Sequence, residues 1–194
     1  PIADIALSTW VPILFLAFVF LLGGGSRSDI ASLPVLRGTA VLFAFWAVLQ
    51  MRREDWHRIR VPLSLMIALM LWMTLQLVPL PPEIWHELPG RSTIVAIDRL
   101  VGQAELWRPL SLTPSQTLNA LLAMTVPLAA LLLAAQMTVD EYPQLVAAVV
   151  VIACASALLG LLQILSGPSS PAYLYRIANN SSMVGLFANR NHHA

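Results

Sequence analysis

Apolar residues run in long blocks along this chain, and polar residues gather in the gaps between them. A bilayer core about 30 Å thick takes about 20 helical residues to cross. Five blocks have about that length: Ile5 to Leu22, Leu36 to Met51, Val61 to Leu80, Thr117 to Met137 and Leu145 to Leu165. Only helices satisfy their own backbone in lipid, so the pattern predicts an all-α fold, a polytopic transmembrane helical bundle of five spans. The second block is short and has Arg37 near its start, where the guanidinium would reach back to the headgroups. Polar residues return between Gly185 and Ala194, where a sixth span is expected to begin. Residues 1–194 are therefore expected to be a single transmembrane region, the N-terminal portion of a larger membrane protein.

The polar gap from Pro81 to Ser115 has a pattern of its own. Pro82 can occupy the first turn of a short helix through Trp85, ended by Pro89 and Gly90, and Ile94, Ile97, Leu100 and Val101 then recur at helical spacing until Gly102. Such an amphipathic piece is expected to lie in the membrane interface, with Trp85 and Trp107 at headgroup level. Thr113-Pro114-Ser115-Gln116 is a start signal for the fourth span, with Thr113 as cap, Pro114 in the first turn and Gln116 reaching back. Within that span Pro127 removes a backbone hydrogen bond and predicts a kink. In the fifth, Ala153 with Ala157 and Ser156 with Gly160 form small-xxx-small pairs that let another helix approach closely.

Composition strengthens the membrane reading. Hydrophobic residues are 58% of the 194 and charged residues 11%, with a mean hydropathy of +0.74, whereas a soluble domain carries about a quarter charged residues. All 11 basic residues are arginines. Genomic base composition explains that, and so would a need for planar, bidentate phosphate ligands. Arg52, Arg53, Arg58 and Arg60 crowd the link after the second block, and short Arg-dense links stay in the cytoplasm. The N-terminus is then cytoplasmic, and the loops near residues 23–35, 81–115 and 166–183 lie outside. Those loops carry Arg27, Arg91, Arg99, Arg108 and Arg176, so the rule is met by density of arginine rather than by total. Asp4 is the one charge before the first block, which is too long for a cleaved signal and reads as a retained span. The single cysteine, Cys154, excludes an intrachain disulfide.

Apart from Arg37, the five blocks hold no Asp, Glu, Lys, Arg or His, which argues against proton-coupled transport in this part of the protein. Gln76 and Gln163 fall near the outer ends of the third and fifth spans, suited to helix-to-helix hydrogen bonds. Richer chemistry stands at the C-terminal end, where Asn189, Arg190, Asn191, His192 and His193 are consecutive. On a helix, Asn189, His192 and His193 share one side with Arg190 beside them. Amides, a guanidinium and imidazoles suit a diphosphate or a sugar, and a polar interfacial cap with a basic anchor accounts for the same residues. Adjacent histidines point about 100° apart on a helix, and no third ligand is near, so no metal site is expected. There is no Walker loop, dinucleotide fingerprint, nucleophile elbow or HExxH pattern, and no nucleic-acid partner is expected. Asn180-Ser181-Ser182 matches the glycosylation sequon, a short pattern that chance often produces.

Four segments together carry a family resemblance: LQLVPLPPEIWHELPGR (Leu75 to Arg91), WRPLSLTPSQT (Trp107 to Thr117), ALLGLLQ (Ala157 to Gln163) and GLFANRNHHA (Gly185 to Ala194). From about residue 70 onward the chain resembles the N-terminal half of bacterial O-antigen ligase family proteins, which also include surface-polysaccharide polymerases. The most specific element is Gly-x-Phe-x-Asn-x-Asn, met by Gly185, Phe187, Asn189 and Asn191. The resemblance implies transfer of a glycan from undecaprenyl diphosphate to a sugar acceptor, on the outer side of the bacterial inner membrane. That acceptor is the lipid A core for ligases and another repeat unit for polymerases. It further implies a reaction without nucleotide or metal cofactor, in which arginines hold the diphosphate while a base in a later outer loop activates the acceptor hydroxyl. No residue here matches that base, so this portion alone is expected to be inactive. To the motif positions, chemistry and location add Arg190, His192 and Arg108 as candidate ligands of the diphosphate or sugar. Two readings of other classes remain open: a transporter or flippase subunit for lipid-linked glycans, and a non-catalytic membrane scaffold.

Overall fold

A computed structural model describes residues 7–25, 30–175 and 178–189. The chain is mostly helical, 68% helix and 2% strand. In order come α1 (Leu7–Leu22), α2 (Ser32–Gln50), α3 (Arg53–Gln76), β1 (Pro79–Leu80), α4 (Pro82–Trp85), α5 (Ser92–Leu100), β2 (Arg108–Pro109), α6 (Pro114–Ala123), α7 (Thr125–Ala135), a 3-10 turn at Val139–Glu141, and α8 (Tyr142–Ser166). Four stretches are long and apolar enough to cross a membrane: Ser32–Gln50, Arg53–Gln76, Pro114–Ala135 and Val139–Ser166; Thr9–Leu22 is apolar but shorter.

The helix boundaries depart from the hydropathy pattern where polar residues favour helix without favouring lipid. α3 starts at Arg53 rather than Val61, so most of the arginine-dense link is helical. Glu54 and Asp55 lie in its first turn, where carboxylates complement the helix dipole, and the Asp55 carboxylate accepts the Arg52 N–H. α2 starts at Ser32 and takes Arg37 into its second turn. The fourth block is broken at Met124, between α6 and α7. Pro127 has no N–H to return to the carbonyl four residues back, which accounts for an interruption at that place. Pro114 does open α6, but Thr113 makes no side-chain capping bond. Ser111 acts instead, its hydroxyl accepting the Thr113 N–H and pairing with the Thr117 hydroxyl at 2.7 Å.

The described structure forms two compact units. The first combines residues 1–60 and 125–194, and the second residues 61–124. In the first unit α2 lies along α7, and α1 touches α2, α7 and α8. The core is small side chains and leucines: Ala40 and Ala47 of α2 meet a layer that includes Ala129, Leu132 and Leu133 of α7, while Phe15 and Phe43 approach at 5.1 Å. Thr9, near the start of α1, donates to a Glu141 carboxylate oxygen at 2.5 Å, so α1 and α8 begin at one end of this unit. The C-termini of α2 and α7 lie at that same end, where the Gln136 amide donates to the Ala47 carbonyl at 3.2 Å and Arg58 donates to the carbonyls of Ala135 and Met137 at 3.2 and 3.1 Å. A helix C-terminus leaves carbonyls without intrahelical partners, and a guanidinium answers both their hydrogen-bonding need and the negative dipole end.

The second unit is organised around Trp85, which is wholly buried and donates its indole N–H to the Leu106 carbonyl at 3.0 Å. The boundaries of α4 and α5 agree with the Pro82 start and the glycine stops read from the sequence. Trp85 itself is a correction, because it packs inside this unit instead of standing at a lipid surface, whereas Trp107 is exposed. α5 turns Val95 and Asp98 inward and leaves Ile97, Leu100 and Val101 exposed. β1 pairs antiparallel with β2, and Ser111 donates its N–H to the Gln76 carbonyl at 2.9 Å, closing the loop at its base.

Removing the Arg58 cap separates its role from general surface charge. Arg58→Ala should destabilise the purified protein by about 1 kcal/mol, while Arg60→Ala, an exposed arginine with no partner among the described residues, should change it by less than about 0.5 kcal/mol. Melting in detergent followed by circular dichroism reads both; equal shifts would remove the capping role.

Candidate functional site

The C-terminal motif segment meets α8 through two buried side chains, the Gln163 amide and the Ser156 hydroxyl. Gln163 is 0% exposed, and its carboxamide is fully used. The oxygen accepts the N–H groups of Val184 and Gly185 at 3.2 and 2.9 Å, and the nitrogen donates to the carbonyls of Ala172 and Gly185 at 3.0 and 2.9 Å. A carboxamide has two acceptor sites and two donor hydrogens, so Gln163 has no capacity left for anything else. About two turns earlier on the same face, the Ser156 hydroxyl accepts the Leu186 N–H at 3.1 Å. Gly160 lies between them on α8 and is buried. The helix-to-helix role expected for Gln163 is thus corrected: it binds the backbone of a loop. Ser156 and Gly160 likewise face that loop, while Ala153 and Ala157 are exposed.

From Gly185 to Asn189 the backbone forms turns and bends, not the first turn of a helix. Gly185 takes φ of 55°, a left-handed conformation that side chains disfavour. The segment is closed on itself by the Asn179 N–H to the Ala188 carbonyl at 3.2 Å, and it is tied to the end of α1 by the Ala188 N–H to the Gly24 carbonyl at 2.9 Å. Phe187 packs edge-on to Phe20 at 6.3 Å. Gly24 has no room for a side chain, since a Cβ would overlap the Leu186 carbonyl and lie 2.8 Å from the Tyr175 hydroxyl. Burial pushes the Tyr175 phenol above its ordinary value, opposed by its hydrogen bond with the Gly24 backbone. Nothing in the sequence pattern marks Gly24, Ser156 or Tyr175 for this role, because each acts through a contact made across the fold.

Among the sequence-based site residues, Gly185, Phe187 and Asn189 come together in this loop. Arg190, Asn191 and His192, with His193, lie outside the described residues. Arg108 belongs to the second unit, and its guanidinium holds Asp98, Nε and one terminal nitrogen each 2.6 Å from a different carboxylate oxygen. Asp98 is 3% exposed, so this bidentate pair is the partner that makes its burial possible. The Arg108 guanidinium also stands 5.7 Å from the Trp85 ring. Arg91, 4% exposed, donates to the carbonyls of Pro109 and Leu110. Arg91 and Arg108 therefore have structural duties, which the sequence reading did not anticipate.

The loop from Ala178 to Asn189 offers neutral polar groups only: Asn179, Asn180, Ser181, Ser182 and Asn189. Amides and hydroxyls of this kind suit sugar hydroxyls. The Asn180 amide oxygen is buried with no hydrogen-bond partner among the described residues. Beside the loop, a groove of about 640 Å³ runs past Leu159 and Leu162 to Ser166, Ser169 and Ser170. Its lining passes from apolar to hydroxylated, as an amphiphile would require. Among the described residues no cluster of three or more His, Cys, Asp or Glu could hold a metal ion.

Two substitutions test these assignments. Gln163→Leu strands two N–H and two carbonyl groups, at about 1–3 kcal/mol for each buried group left unsatisfied, and should expose residues 167–189 to rapid limited proteolysis; unchanged cleavage would remove the clamp. Arg108→Ala leaves Asp98 buried and unpaired, which costs about 3–5 kcal/mol, and should lower membrane abundance as well as any activity, with Asp98→Asn/Arg108→Gln recovering the abundance. No protein-family model, curated protein or solved structure matches this chain.

Proposed function

We propose that this chain is part of an integral inner-membrane glycan transferase of the O-antigen ligase or polymerase type. It acts on an undecaprenyl-diphosphate-linked oligosaccharide or polysaccharide and passes the glycan to a sugar acceptor such as the lipid A core. In this reading five spans and the start of a sixth cross the bacterial inner membrane with the N-terminus cytoplasmic. The loop after α8 then faces the periplasm. α5 lies along the membrane interface with Ile97, Leu100 and Val101 toward lipid.

The observation that carries the reading is the shape of the Gly185–Asn189 backbone. Gln163 and Ser156 hold it out of a helix along the C-terminal part of a long apolar helix, so the motif residues form an ordered loop packed against that helix. An ordered loop that descends from the polar end of such a helix can meet a substrate whose chain is in the bilayer and whose sugars are in water. Arg190 and Asn191 follow directly, and a guanidinium with amide donors is the chemistry that stabilises charge developing on a diphosphate leaving group.

In the full-length protein, Arg190→Ala or Asn191→Ala should abolish attachment of polymer to its acceptor while membrane abundance stays at the parental level. Blotting for the protein and gel analysis of the surface polysaccharide read the two quantities separately. Normal attachment in both variants would sink this assignment.

A further inference from the structure

The end of the first unit that carries Gln50, Arg58 and Glu141 contains a cavity of about 550 Å³, lined in part by Trp46, Arg52, Glu54, Arg58, Gln136 and Thr138. It lies where α2 and α7 end and α3 begins, the level at which long apolar helices give way to polar residues. Its charged groups differ in how far they are already engaged. Glu141 spends one carboxylate oxygen on the Thr9 hydroxyl and the other on the N–H and hydroxyl of Thr138, and an Asp55 oxygen holds the Arg52 N–H. Arg58 uses one terminal nitrogen on two carbonyls and is held in place by them, keeping its other N–H groups. The Arg52 guanidinium and the Glu54 carboxylate have no partner among the described residues, and both are exposed. Glu54 and Arg58 are four residues apart on α3 and therefore on one helix face.

We infer that this cavity binds the headgroup of a zwitterionic aminophospholipid, of the phosphoethanolamine class. Arg52 and the free edge of Arg58 take the phosphodiester, which a guanidinium matches with paired donors. Glu54 takes the primary ammonium, whose three hydrogens it can accept where a trimethylated head offers none. A purely anionic headgroup would bring no ammonium to a cavity whose lining includes the Glu54, Asp55 and Glu141 carboxylates, and like charges placed together cost affinity. Trp46, an amphipathic ring at this level, covers the glycerol region, and the acyl chains extend along the apolar helices. This site does not depend on the transferase reading.

The test is native mass spectrometry of the full chain released from detergent after incubation with phosphatidylethanolamine, phosphatidylcholine or phosphatidylglycerol, with inorganic phosphate as competitor. One phosphatidylethanolamine should be retained at least about fivefold more tightly than either other lipid, a ratio set by one screened charge pair. Arg52→Ala should reduce retention of both phosphatidylethanolamine and phosphatidylcholine, while Glu54→Gln should erase the preference for phosphatidylethanolamine and leave phosphatidylcholine unchanged. Both residues are exposed, and both variants should keep the parental helical signal, with only the small drop in lipid-free melting point that losing one first-turn carboxylate of α3 brings in Glu54→Gln. Equal retention of the three lipids, a preference for phosphatidylglycerol, displacement by phosphate alone without lipid selectivity, or unchanged selectivity in Glu54→Gln would each overturn the assignment.

Discussion

In so apolar a chain, every backbone group that leaves a helix must find an internal partner, because lipid offers none. The described structure meets this constraint with a small set of polar side chains, each placed where a helix ends or a loop begins. Gln163 supplies four hydrogen bonds to the loop after α8, Arg58 closes the end of α7, and Gln136 reaches the end of α2. Ser32 takes the Leu22 carbonyl at the end of α1. Arg91 and Trp85 do the same for the irregular stretch around Leu106 to Leu110. Several of the polar residues at the ends of the apolar blocks are thus used in holding backbone.

The same constraint explains why the motif loop can be ordered. A left-handed glycine followed by non-helical backbone is costly beside lipid unless its N–H and carbonyl groups are taken up. Gln163 takes up those of Gly185, Ser156 takes the next N–H, and the absent side chain at Gly24 leaves the space that the Leu186 carbonyl occupies. The small residues along α8 and at the end of α1 therefore serve a loop, a use that the spacing of small residues alone does not distinguish from helix packing.

In the second unit, charge is used in a different way. The Asp98 carboxylate is buried close to Trp85 and is held by Arg108, whose side chain stays partly exposed. Burying that carboxylate is tolerable only with a paired partner, and the bidentate contact provides it. The consequence is an α5 whose inward face pairs Val95 with the Asp98 carboxylate while Ile97 and Leu100 face out, a division of faces that its apolar periodicity does not reveal.

The sequence by itself determined the helical class, the apolar stretches from Ser32 to Ser166, the Pro82 and Pro114 starts and the glycine stops around α5. These depend on local rules: residue hydropathy, the fixed φ of proline and the conformational freedom of glycine. Only the tertiary structure decided that Gln163 clasps Gly185, that Arg108 serves Asp98, that Trp85 is enclosed and that residues 185–189 turn instead of starting a helix. Each of those outcomes joins groups far apart in the chain, and a residue's hydropathy or spacing carries no information about which distant donor will meet which acceptor.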